Sequence, residues 1–367
     1  MSLDIYRLAF ARVKGLRPDI AREILSRTGS EEAFMTLSEG QLRAMLGFDG
    51  KILGDAYRNG LLEDARRESQ FIEAHGLACR YFTDRAYPRR MLECEDAPLM
   101  LFTLGNVDLN APHCLSIVGT RNATTYGVSF INRLVDELAE RIDGLLIISG
   151  LAVGCDITAH KRAMERGIPT AAVVAHGLDT IFPADHRNIA ARMVRSGGIL
   201  VTEYPSRTRP IRPNFLARNR IIAGMSDAVI VAESAAARGG ALRTARLGML
   251  YNRDVFALPG RTSDLYSGGC NALIKNNTAH LIETADDLIS TMGWTARPRE
   301  GDQGRMFPDL TPEQQAVVDF IRHNGEAQTN TLSANLGIPA GKLMALLIEL
   351  EFNGTLVALP GARYRMA

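Results

Sequence analysis

Cysteine is scarce and unpaired in this sequence. Its five copies (Cys79, Cys94, Cys114, Cys155 and Cys270) are scattered, odd in number and without a CxxC pair. That argues against a disulfide framework or a structural zinc site, and for a reducing cytoplasm. No apolar run approaches the ~18 residues that span a bilayer, so no membrane segment is expected. The N-terminal MSLDIYRLAFARVKGLRPDI has the plan of neither a signal peptide nor a transit peptide. Nucleotide motifs are missing too. No GxGxxG follows the first expected strand, and no GxxxxGK runs into Ser or Thr, so a dinucleotide fingerprint and a P-loop are both excluded. His160, His176 and His186 lack zinc spacing such as HExxH, and capping or packing roles are expected for them. No metal and no cofactor is expected.

Excess charge is also absent. The 367 residues carry a formal net charge of +1, with 46% hydrophobic and 23% charged residues. This is the composition of a soluble globular protein of two or three domains. A balanced chain is not coated with nucleic acid, so any such contact must come from a local patch. One patch stands out. Pro205 to Arg220, PSRTRPIRPNFLARNR, holds five arginines and no acidic residue. Guanidinium forks match phosphate oxygens in pairs. Phe215 lies among them, and cations beside a flat ring are what a single-stranded nucleic acid needs. The alternative is a solvated basic loop with Phe215 in the core.

Residues 1–75 read as short helices, with a capping box at Ser38-Glu39-Gly40-Gln41, and resemble a helix-hairpin or sterile-alpha-motif-like module. Residues 78–293 alternate apolar runs with amphipathic segments. The runs are 115–119, 145–150, 170–177, 198–203, 227–233 and 254–260, with ACRYFT and LMLFTLG as further edge strands. Buried strands joined by helices predict a doubly wound parallel α/β sheet of the extended Rossmann type. Residues 295–310 lose periodicity and read as a linker. Residues 311–367 open on a Thr311-Pro312-Glu313-Gln314 capping box, then three helices and a hairpin, which is a winged helix.

In an open parallel sheet, ligands bind beyond the carboxyl ends of the strands. Glycine-bearing turns fall there: Gly119-Thr120-Arg121, Ser149 to Gly154, His176-Gly177 and Pro259-Gly260. Such turns let backbone N–H groups approach an anion, with helix starts at Thr124 and Asp156 adding a positive end. Tight packing turns need glycine as well. Glu203 and Glu233 end two strands. They could act as a base, but ordering the arginines through ion pairs is the preferred reading. Cys155 has no histidine partner and reads as a small buried residue.

Taken in order, IVGTRNATTYG (117–127), SGLAVGCDITAHKRAM (149–164), GLDTIFPADHRNIA (177–190), GGILVTEYP (197–205), NFLARNRIIAGMSDAVIVAES (214–234), GGALRTARLGMLYNRDVFALPG (239–260) and SGGCNALI (267–274) resemble the DNA-processing protein A (DprA/Smf) family. The resemblance implies a non-enzymatic single-stranded DNA binder. It also implies a homodimer that helps load the RecA recombinase on incoming DNA in natural transformation. Carried over by residue, Arg121 is expected on a phosphate and Arg212 is a basic position ahead of the ARNR segment. Phe215 is the nearby aromatic, and Arg218, Asn219 and Arg220 form the RNR core. Gly119, Thr120, Ser149, Gly150 and Gly154 are the turns that cradle the strand. Two rival readings are a nucleotide N-glycosidase on a related Rossmann fold, whose PGGxGTxxE pattern is absent, and a protein-interaction scaffold. The winged helix carries four cations against five carboxylates, and its recognition helix (339–353) has one lysine and two glutamates. Duplex binding requires phosphate neutralisation, so a protein-contact or self-association role is expected there.

Overall fold

The structure is a computed structural model that describes residues 4–236, 239–297, 310–353 and 355–366. The linker expected at 295–310 lies, from 298 to 309, outside the described residues. The chain divides into two compact units, Met1–Arg297 and Pro298–Ala367.

The first unit begins with helices α1 (Ile5–Phe10), α2 (Pro18–Thr28), α3 (Glu31–Thr36), α4 (Glu39–Leu46) and α5 (Asp55–His75). The capping box at α4 is present, with Ser38 and Gln41 bonded reciprocally. The sheet region runs β1 (Ala78–Tyr81), α6 (Arg89–Leu92), β2 (Met100–Gly105), β3 (His113–Val118), α7 (Thr125–Arg141), β4 (Leu145–Ser149), α8 (Cys155–Glu165) and β5 (Thr170–Val173). It continues with α9 (Arg187–Arg195), β6 (Ile199–Thr202), α10 (Arg212–Gly224), β7 (Ala228–Val231), α11 (Gly240–Leu250), β8 (Asp254–Ala257), α12 (Gly268–Lys275), β9 (His280–Leu281) and α13 (Ala285–Met292).

The strands form one nine-stranded sheet in the order β1-β2-β6-β5-β4-β3-β7-β8-β9. The strands from β6 to β9 in that order pair parallel, and β2 joins β6 antiparallel. This is the doubly wound α/β sheet expected from the apolar runs. Every residue of β4 is buried, because alternate side chains enter different cores. Ile147 joins Leu115, Ile117 and Phe130 on one face. Leu146 and Ile148 join Val229 and Val231 on the other. That second core continues without a break into Phe10 and Phe34 of the N-terminal helices. Those helices therefore pack as part of the sheet unit. Within them Arg58 is buried and donates to the carbonyls of Phe34 (2.7 Å) and Leu53 (3.0 Å).

The second unit contains α14 (Pro312–Asn324), β10 (Glu326–Gln328), α15 (Thr329–Leu336), α16 (Ala340–Phe352), β11 (Leu356–Leu359) and β12 (Arg363–Met366). Its sheet order is β10-β12-β11, the arrangement of a winged helix. Thr311 and Gln314 form the capping box of α14. Val317, Leu332, Leu343, Leu347 and Leu350 fill its core. The opposite side of α16 leaves Met344, Ile348 and Phe352 exposed. Among the described residues no single helix is long and apolar enough to cross a membrane.

Phe130 is 2% exposed at the centre of one sheet face. Phe130→Ala is expected to lower the unfolding free energy of the sheet unit by ~3–5 kcal/mol, read as an earlier midpoint in urea.

Candidate nucleic-acid interface

The chain winds from β3 through β4, β5 and β6 on one side, then returns to place β7 on the other side of β3. Loops leaving the carboxyl ends of β3 and β7 therefore part, and a crevice opens between them. A cleft of about 680 Å³ lies there. The turn after β3, the start of α8, one face of α10, the segment after β7 and Tyr266 line it.

Buried bonds hold the turn after β3. Thr120 donates its N–H to the carbonyl of Glu233 (2.8 Å), and Cys155 donates its N–H to the carbonyl of Thr120 (3.2 Å). The Glu233 carboxylate accepts from the Thr124 amide (2.8 Å) and the Thr124 hydroxyl (2.5 Å). Glu233 thus clamps the start of α7. It is neither exposed as a base nor paired with an arginine among the described residues. Gly154 has φ +85°, and a Cβ there would stand 2.3 Å from the Thr120 carbonyl oxygen. Cys155 is fully buried, and burial raises its thiol pKa.

Only two members of the expected backbone cradle, Gly119 and Thr120, line the cleft. The Ser149 hydroxyl is buried and donates to the carbonyl of Ile117 (2.6 Å). The Gly150 N–H donates to Asp156 Oδ2 (3.2 Å), so it is engaged inside the fold. Gly150 is needed for space, since a Cβ there would lie 2.7 Å from the Arg218 guanidinium.

The arginines separate into three settings. Arg121 and Arg212 are exposed, line the cleft and make no ion pair or side-chain hydrogen bond with any described residue. Arg218 is 4% exposed in the cleft floor. Its guanidinium donates to the carbonyls of Gly150 (2.8 Å) and Val173. Burial lowers its pKa to about 10, with Asp156 opposing the shift, so Arg218 stays charged at neutral pH. Burial in turn raises the pKa of Asp156. Arg220 points elsewhere. It pairs with Glu203, donates to the Asp96 carbonyl (2.6 Å) and lines a separate cavity against the N-terminal helices. Residues two apart on a helix diverge by about 200°, so Arg218 and Arg220 cannot share a face. Asn219 is buried and reaches the Gly240 carbonyl (3.4 Å), tying α10 to α11.

Phe215 is half-buried beside the cations. Its ring centroid lies 5.8 Å from the Arg121 Cζ, 6.0 Å from the Arg218 Cζ and 5.5 Å from the Phe182 ring. Phe182 and Tyr266 also line the cleft, and sequence reasoning missed both as site residues. Each lies inside or next to a segment already noted, but neither sits in a basic run. The basic loop itself is anchored from the N-terminal helices. Glu68 on α5, 6% exposed, accepts from the Ser206 amide (2.9 Å) and hydroxyl (2.6 Å). The histidines serve the scaffold as expected. His176 Nε2 accepts from the Phe182 amide (3.2 Å), which leaves Nδ1–H to donate to the Gly177 carbonyl (2.9 Å). Burial lowers the pKa of His176, consistent with this neutral form.

This combination defines a class: an α/β protein with a cationic, aromatic-lined crevice at its switch point, joined to a winged helix. Residues 78–293 match the family described as DNA recombination-mediator protein A, and residues 307–362 match the DprA winged helix domain. The chain belongs to this family. Protein Smf of Escherichia coli (strain K12) is 35% identical over 76% of this chain and 75% of its own. The X-ray structure of DNA processing protein A from Streptococcus pneumoniae superposes with a TM-score of 0.64 at 30% identity, covering 79% of this chain and 98% of that one. A Helicobacter pylori DNA processing protein A, whose structure was described for its single-stranded DNA binding mode, gives 0.52 at 30% identity over 59% and 95% of the two chains.

The Glu203 and Arg220 side chains are each 16% exposed. Arg220→Ala is expected to cost about 3 kcal/mol of stability, because it strands a buried carboxylate. Oligonucleotide affinity should stay unchanged. Denaturation and a binding titration on the same variant check both halves.

Proposed function

We propose that this protein is a non-catalytic recombination mediator that grips single-stranded DNA in the cleft between β3 and β7. The observation that carries the reading is the pair of exposed guanidinium groups, Arg121 and Arg212, unpaired among the described residues and beside aromatic rings at the switch point. Phosphates bind these two side chains, and Gly119 and Thr120 keep the floor of the turn small. Arg218 adds positive potential from below rather than a direct contact. The aromatic side chains lining the cleft supply flat apolar surface for bases. Backbone charge and stacking do not read base edges, so binding is sequence-tolerant and salt-sensitive. The family relationship supports a role in natural transformation. A homodimer, a handover to the RecA recombinase and a cytoplasmic location follow from that relationship as parts of the same proposal.

A nucleotide N-glycosidase would need a carboxylate facing the cleft. Asp156 is the one acidic residue among the described lining, and it is buried with its Oδ2 bonded to backbone amides. Incubation with nucleoside monophosphates should therefore release no free base. The acidic balance of the winged helix and its exposed α16 side chains favour a protein contact over duplex binding there.

Arg121→Ala and Arg212→Ala should each weaken binding of a short unpaired oligonucleotide. Each should also reduce the slope of log affinity against log salt by about 0.7, read by fluorescence anisotropy at several salt concentrations. An unchanged slope in the folded double variant removes both residues from the site. Every described residue lining the cleft lies before 297, so a chain ending at Arg297 should keep wild-type affinity in the same titration.

A further inference from the structure

Resting on the reading of the cleft as a single-stranded DNA site, we propose that the outer face of Phe182 is its base-stacking platform, while the Phe215 ring serves to carry Arg121. Three groups already crowd Phe215: the guanidinium groups of Arg121 and Arg218 and the ring of Phe182. A cation over a ring is a favourable contact that an entering base would have to displace. The Phe182 and Phe215 centroids are 5.5 Å apart at 60°, which is ring-to-ring contact, so no base fits between them.

Phe182 presents a different surface. It is 44% exposed, yet its loop is pinned on both sides by buried histidines. Its own amide donates to His176 Nε2 (3.2 Å). Four residues on, His186 Nδ1–H donates to the Leu151 carbonyl (2.9 Å). Arg121 and Phe182 each contact Phe215 separately, so a backbone phosphate on the one and its neighbouring base on the other have separate seats. A phenyl ring offers no hydrogen bond, and this platform accepts any base. A peptide partner for the same apolar surface would leave oligonucleotide affinity unchanged in Phe182→Ala.

The test uses the full chain and a labelled oligothymidylate at two salt concentrations. Phe182→Ala should weaken binding about 5- to 140-fold, which is the ~1–3 kcal/mol per stacked base converted at 1.4 kcal/mol per tenfold. The salt slope should stay at its wild-type value, unlike that of Arg121→Ala. On an abasic strand of the same length, Phe182→Ala and wild type should bind alike. Phe182→Trp should retain affinity, and its fluorescence should be quenched at saturation. Trp294, packed against His113 at the far end of β3, is replaced by Phe so that it does not mask the signal. Wild-type affinity in Phe182→Ala, an equal loss on the abasic strand, or an unquenched Phe182→Trp overturns the inference and points to another partner for the ring. Failure of the wild type to bind any unpaired strand overturns the function itself, which is a distinguishable result.

Discussion

The turn that carries Arg121 hangs on the buried carboxylate of Glu233. That carboxylate holds the amide and the hydroxyl of Thr124, and the Glu233 carbonyl holds the amide of Thr120. Hydrogen bonds to charged groups contribute about 1.5–3 kcal/mol each, so the clamp is strong for so small a region. It joins the ends of β3 and β7, the two strands between which the winding reverses. Gly127 must lack a side chain for this to form, since a Cβ would lie 2.4 Å from Glu233 Oε2. A glutamate that reads as a base or an arginine partner is instead the tie that makes the crevice rigid.

Charge pairing decides where this nearly neutral protein is free to meet an anion. Many of its arginines are satisfied internally: Arg90 with Asp227, Arg162 with Asp136, Arg253 with Glu93, Arg220 with Glu203. The guanidinium groups of Arg121 and Arg212 at the cleft, and of Arg207 and Arg209 on the loop entering α10, make no ion pair with any described residue, although the Arg207 amide donates to Asp179 Oδ1 (2.8 Å). Arg218, kept protonated beneath them, adds field without exposing itself. A local excess of unpaired cations over a low-dielectric floor focuses potential into the crevice. Net charge carries no trace of this.

Much of the fold was legible because it rests on local rules. The apolar run at 115–119 overlaps β3, those at 145–150 and 227–233 contain β4 and β7, and the Ser38 and Thr311 capping boxes stand where their spacing puts them. The site was legible only in part. Arg121, Arg212 and Phe215 come together in the cleft. Arg220 turns to the N-terminal helices, and Ser149 and Gly150 are engaged inside the fold. A basic run reads as one patch in sequence, but a helix distributes it around its circumference. Phe182 and Tyr266 escaped notice because a lone aromatic carries no pattern.

Periodicity and turn chemistry determined, from the residues alone, a parallel α/β sheet with a winged helix. Those features depend on neighbours a few positions apart. Which cations stay unpaired, which glycines face the crevice and which rings line it depend on residues far apart in the chain, such as Glu233 with Thr124 and Glu68 with Ser206. Only tertiary packing sets these pairs, because burial and contact across the switch point are properties of the assembled layers and not of any one segment.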